Sequence, residues 1–137
     1  MPIISISVKG SNLWSINRCF TFTIFEFIKK YRIDFIDIIS EVEVEADEEA
    51  NYYDGYLDNC KIYWKNVIEE IEGLKNIKKI CFTRKTFSDI PNMKIEIEKI
   101  KIFAKNNKID FQYLTTPARF YSESKQKEWT DFLTNDQ

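Results

Sequence analysis

Histidine is absent from this chain of 137 residues. That removes the commonest general base, the commonest zinc ligand and every Ser/His or Cys/His nucleophile pair, so any chemistry falls to carboxylates, lysine, tyrosine or backbone groups. Glycine is scarce, and Gly10, Gly55 and Gly73 stand isolated from one another, which leaves no glycine-rich loop to cradle a nucleotide phosphate. The cysteines Cys19, Cys60 and Cys81 are odd in number, widely spaced and set among apolar neighbours; they exclude a disulfide framework and fit reduced thiols in a cytoplasmic protein. The apolar start, "MPIISISVKG", is short, lacks a basic leader and meets Lys9, so it reads as neither a signal peptide nor a membrane span. Cofactors and metals are not expected: the acids from Glu41 to Glu49 lack the Asp-x-Asp-x-Asp-Gly order of a calcium loop.

What is present suits one domain over residues 1–137, since a 44% hydrophobic and 15% aromatic composition is ample for a core. The net charge of -2 argues against coating nucleic acid by bulk charge. Charge is unevenly placed. No basic residue lies between Arg32 and Lys61, whereas basic residues dominate from Lys75 to Lys108. The segment 41–58 carries eight acids and the motif "NYYDGYLD", and reads as an acidic loop or flap. Its Tyr52, Tyr53 and Tyr56 either stack on a ligand or partner, or pin the loop to the core.

Period-two alternation predicts a strand from Ile3 to Val8, with Gly10-Ser11-Asn12 as the turn behind it. Ile24, Phe27, Ile28 and Tyr31 recur at helical spacing within 23–32, and "IDFIDII" at 33–39 is a buried strand or a short turn-helix. A helix capped by Asp58 or Asn59 is predicted with Cys60, Tyr63, Trp64, Val67, Ile68 and Ile71 as its face and Gly73 as a left-handed C-terminal cap. Ile80 to Thr83 reads as a buried strand. Met93, Ile97, Ile100 and Phe103 or Ala104 form a helical stripe, although the alternation of Ile95, Ile97, Ile100 and Ile102 leaves a strand open. Ile109 to Leu114 is a further strand, residues 115–121 a turn, and Glu123 to Leu133 a closing helix with Trp129, Phe132 and Leu133 facing inward. The expectation is an α/β fold, a three-layer sandwich in which a small, mostly parallel sheet is covered by helices on both faces. Ligands of such sheets bind beyond the carboxyl ends of the strands, which puts Thr83, Arg84 and Lys85 on one edge with Thr115, Thr116, Pro117, Ala118 and Arg119.

Three stretches, "FEFIKKYRIDFIDII", "IKKICFTRKTF" and "YLTTPARFYSESKQKEW", together with the order of elements over about residues 25 to 133, carry a resemblance. The chain resembles the uracil-DNA glycosylase superfamily, in its mismatch-type and hypoxanthine-type branch. The resemblance implies a partner, DNA, whose deaminated or modified base is held out of the duplex, with residues 114–118 as the intruding loop and Thr83 to Lys85 beside the pocket. The family's first motif supplies an Asp or Asn that activates water; here "ISISVKGSNLW" contains no acid and Asn12 is its residue of suitable type, with Asp34 and Asp37 as further carboxylates. The turn glycine after the second strand is Arg84. These departures imply a truncated or inactive relative, and the alternative is a non-catalytic interaction module whose acidic, tyrosine-bearing loop engages a basic protein.

Overall fold

Residues 26, 29–116 and 122–135 are described in the computed structural model, and residues 3–7 as backbone alone. Isoleucine-rich pentads form β1 (Ile3–Ser7) and β2 (Ile33–Asp37), which pair in parallel with Ile3 opposite Ile33 and Ser7 opposite Asp37. On its other side β1 pairs in parallel with β5 (Lys79–Phe82), and β5 with β6 (Asp110–Tyr113). The order β2-β1-β5-β6 runs outward from β1 in both directions, so the chain reverses its direction of travel across the sheet between β1 and β5. In open parallel sheets that is where ligands bind.

The central position of β5 explains its composition. All four of its residues are buried, as expected of a strand covered on both faces. Ile80 and Phe82 join a cluster with Met93, Ile97 and Ile100; Cys81 joins another with Leu114, Phe132 and Leu133. The first three helical residues belong to α3 (Pro91–Asn106) and the last two to α4 (Glu123–Thr134). A proline at the start of α3, where an N–H is not needed, and the buried stripe Met93, Ile97, Ile100 and Ala104 make this segment a helix and exclude the strand alternative. Between Ala104 and Phe103, it is Ala104 that is fully buried.

Two expectations are corrected in the middle of the chain. The helix expected from Cys60 does not begin there: Lys61–Trp64 is β4, which pairs antiparallel with β3 (Ile39–Glu43), Val42 opposite Ile62 and Glu43 opposite Lys61. In β4, Ile62 and Trp64 turn toward the core while Lys61 and Tyr63 turn outward, and both reach the Glu43 carboxylate, at 2.8 and 2.7 Å. The helix begins only at α2 (Val67–Gly73), capped by Asn66, whose side chain accepts the Glu69 amide at 3.3 Å. No described glycine has a positive φ; Asn76, at φ 67°, takes the left-handed turn instead of Gly73.

The segment 41–58 is not a loop throughout. Residues 41–43 belong to β3, and α1 (Asp54–Asp58) buries Leu57 and Asp58. Tyr56 pins the segment by accepting the Glu45 amide on its hydroxyl at 3.2 Å, while Tyr52 and Tyr53 remain 63% and 76% exposed. "IDFIDII" is strand, β2 and the start of β3, not a turn-helix. The turn at 10–12, most of the expected helix at 23–32 and residues 117–121 lie outside the described residues; Lys29, Lys30 and Tyr31 are helical.

Candidate functional site

The parallel register sets the carboxyl ends of the strands side by side. Ser7 lies opposite Asp37, and Ile6, Phe82 and Tyr113 lie level one residue earlier. Thr83 and Leu114 therefore continue the row that Asp37 and Ser7 begin. At about 4.8 Å per strand, the row spans about 14 Å. Leu114 donates its amide to the Phe82 carbonyl at 2.8 Å, which keeps the exits of β5 and β6 together.

Glu128 of α4 ties those exits to each other. One carboxylate oxygen meets the Lys85 ammonium, and the other accepts the Thr115 amide at 3.2 Å. Burial works against ionisation of Glu128, but the hydrogen bonds from Lys85 and Thr115 outweigh it and hold the carboxyl below its ordinary range. One residue along, the Trp129 indole donates to the Thr115 carbonyl at 2.9 Å. Thr115 thus has both backbone groups held by α4, whose own N-terminus is capped by Ser122 accepting the Lys125 amide at 3.2 Å.

The loop that leaves β5 is braced differently. The Arg84 guanidinium reaches Asp54 at 2.6 Å and both oxygens of Asp89 at 2.5 and 2.7 Å, and its Nε donates to the Thr86 carbonyl at 2.8 Å. The hydrogen bond from Arg84 is the main reason that the Asp89 carboxyl is held below its usual value. Arg84 is therefore committed to carboxylates of α1 and of its own loop.

Behind this loop, Asp58 is buried and caps α3 from a distance. Its carboxylate accepts the amides of Asn92 at 3.0 Å and Met93 at 2.6 Å, and its carbonyl accepts the Asn92 side chain at 2.9 Å. The residue at the N-cap position of α3, Ile90, has no side-chain acceptor, so the cap has to come from elsewhere.

The expected edge residues fall as follows. Thr83, Thr115 and Thr116 are half-buried at the carboxyl edge, with Arg84 and the exposed Lys85 beside them. Asp37 ends β2 on the same edge, two strands away from β5. Asp34 lies three residues earlier, exposed, with its carboxylate accepting the Phe35 amide at 2.8 Å. Asn12, Pro117, Ala118 and Arg119 lie outside the described residues. The sequence pattern does not single out Glu128, Asp54 or Asp89, and it marks Asp58 only as the cap of a helix starting at Cys60. The signal for Asp58 was the uncapped, proline-led start of α3; for Glu128, its place next to an inward-facing tryptophan.

Among the described residues, no group of three or more acids and cysteines is placed to hold a metal ion, and no helix is long and apolar enough to cross a membrane. A groove of about 200 Å³ lies between β4 and the first turns of α3, lined by Cys60, Ile62, Trp64, Asn92 and Ile95 among others. None of the edge residues borders it. In comparisons with known proteins, no family model, no curated protein and no solved structure matches the chain.

Proposed function

We propose that this chain is a uracil-DNA glycosylase-like protein that recognises a deaminated or modified base in DNA at the carboxyl edge of a parallel sheet layered between helices. The observation that carries the reading is that the exits of β5 and β6 share one edge, where the Glu128 carboxylate takes both Lys85 and the Thr115 amide. A protein that holds a base out of the duplex needs a rigid edge for the base and a firmly held loop to offset lost stacking. The α4 clamp on both backbone groups of Thr115 supports such a loop root.

In this reading Thr83, Thr115 and Thr116 present their hydroxyls toward the nucleotide, the Thr115 amide staying on Glu128, and Lys85 meets phosphate by leaving or sharing Glu128. Arg84 shapes the loop, because its charge is already met by Asp54 and Asp89. Pro117, Ala118 and Arg119 follow as the intruding segment. Asp37 is the carboxylate on the edge and Asn12 the amide of suitable type for activating water; if neither serves, the protein binds without cleaving. Cys60 and Cys81, neither of them in a disulfide, suit a cytoplasmic setting.

The test is incubation of the purified protein with duplex and single-stranded oligonucleotides carrying uracil or hypoxanthine, scoring abasic-site formation and gel retardation. Retardation that depends on the modified base, and weakens in Thr116→Val, is the expected result. Cleavage lost in Asp37→Asn or Asn12→Ala assigns the catalytic group. Neither cleavage nor retardation removes DNA and leaves the second reading, an interaction module for a basic protein. That reading is favoured by the exposure of Tyr52 and Tyr53 amid the acids of 41–54.

A further inference from the structure

The parallel register brings a second row of residues together, at the amino edge of the sheet. Ile33, Ile3, Lys79 and Asp110 are level with one another across the four strands, so the turns that enter β2, β5 and β6 open on the same side. Each turn carries exposed cations: Lys30 and Arg32 before β2, Lys75 and Lys78 before β5, Lys105 and Lys108 before β6. The last two turns are tied together, the Asp110 amide donating to the Lys78 carbonyl at 3.0 Å. None of these cations forms an ion pair among the described residues, where the paired ones are Lys61, Lys65, Arg84, Lys85, Lys99 and Lys101. The acids within the same turns turn elsewhere. Asp34 accepts the Phe35 amide, and Asp110 accepts the Gln112 side chain at 3.2 Å.

Helix dipoles explain part of this row, since helices that join parallel strands end at the amino edge and favour cations there. They do not explain the rest. The last turns of α2 and α4 hold no base, and the carbonyls that end α4 are met by the buried Lys79. Arg32 and Lys108 stand beyond the helical turns, at φ 51° and 57°, in the left-handed region that glycine adopts at least cost. At both places a long cation is kept against local strain.

We infer that the amino edge takes the sugar-phosphate backbone of a nucleic acid without regard to its bases. This surface lies at the opposite end of the strands from the proposed base-recognition edge and does not rest on that reading. From β2 to β6 the row spans about 14 Å, at about 4.8 Å per strand, which matches about four phosphates along one strand of a duplex at about 3.4 Å each. The net charge of -2 does not oppose this, because the acids gather in the segment 41–58 and against Arg84 and Lys85, and a local patch is enough to steer a polyanion. Unlike Arg84 and Lys85, the cations of the amino edge need release no carboxylate before meeting phosphate. A protein partner is less well matched, since a protein interface has an apolar centre, and the groove of Trp64 and Ile95 lies by the first turns of α3, at the other end of that helix.

The test is the fluorescence anisotropy of a short labelled duplex of ordinary sequence, free of uracil and hypoxanthine, titrated with the full chain at several salt concentrations. Wild type is expected to bind at low salt, with log affinity falling linearly against log salt. Lys78→Gln and Lys108→Gly are each expected to weaken binding and to make that slope shallower by about 0.9. Neither lowers the urea midpoint, and Lys108→Gly raises it, because glycine is unstrained at positive φ. Lys94→Gln, in the first turn of α3 and also exposed, is expected to leave affinity and slope unchanged. No binding at low salt overturns the inference, as does a slope indifferent to Lys78→Gln and Lys108→Gly, or an equal loss in Lys94→Gln. Salt-reversible self-association without duplex binding also overturns it, and assigns the row to the acidic segment of another copy. Since the duplex carries no modified base, ordinary-duplex binding and base-dependent retardation can fail separately.

Discussion

The buried carboxylate of Asp58 receives the Met93 amide at 2.6 Å, so the last residue of a short helix stabilises the start of the longest one. The acidic segment is thereby joined to the sheet: α1 holds α3, and α3 covers Ile80 and Phe82. Without this cap, the free amides of Asn92 and Met93 face a region where Met93 is wholly buried. Asp58→Ala is expected to lower stability by about 2 kcal/mol, the upper end for loss of a helix cap. Urea unfolding checks it: the midpoint falls while the slope is kept. A change below about 0.5 kcal/mol would be that of an ordinary surface substitution and would refute the cap.

Glu128 makes the joint between the two strand exits sensitive to acid. Its folded carboxyl is held below the ordinary value of 4.5, so its contribution is complete above that value and is lost as the pH falls through the lower folded one. Glu128→Gln keeps a partner for the Thr115 amide but loses the charge that meets Lys85. Lys85 is half exposed, so the expected cost at neutral pH is roughly 1 kcal/mol or less. The variant should converge on wild type at acid pH. A constant difference across the titration would show that the charge of Glu128 is not what matters.

At the other end of α4, Lys79 is buried and donates to the carbonyls of Phe132, at 2.6 Å, and Asn135. These are among the carbonyls that a helix end leaves unmatched, and a cation is favoured there by the dipole. Lys79→Met keeps the apolar stem and removes the donors, at an expected cost of about 1–3 kcal/mol. Its neighbour Lys78 is exposed, so Lys78→Met should change stability by less than about 0.5 kcal/mol. Equal effects of the two would contradict the capping role.

The elements read correctly from the sequence are those whose signals are local. The stripe Met93, Ile97, Ile100 and Ala104 repeats at the helical period behind a proline, and Phe132 and Leu133 follow a serine cap. Lys61–Trp64 is strand although Trp64, Val67, Ile68 and Ile71 do lie at helical spacing, because only a pairing with β3, some twenty residues earlier, decides its state. Asp58 looked like the cap of the helix just after it, and is instead the cap of one that starts more than thirty residues later. At the edge, the nearness of the exits of β5 and β6, Thr83 level with Leu114, follows from strand order and register. The carboxylates that neutralise Arg84 and Lys85 come from α1, α4 and the loop at Asp89, and no spacing in the sequence announces them.

That neutralisation separates two roles for Arg84. If its guanidinium contacted a DNA phosphate, replacing it would reduce the dependence of log affinity on log salt by about 0.9 for duplex DNA. Its contacts with Asp54 and Asp89 point to a structural effect instead, since Arg84→Gln removes the positive charge and the forked guanidinium and leaves two carboxylates without a cation across the α1 joint. The expected result is a loss of about 1–2 kcal/mol in urea unfolding, more than a single exposed ion pair supplies because three carboxylate contacts are lost together. Lys85→Gln is expected to do the reverse, with a small change in stability and a shallower salt dependence of oligonucleotide retardation. Arg84→Gln with native stability and a reduced salt slope would place Arg84 on the phosphates and Lys85 on Glu128 alone.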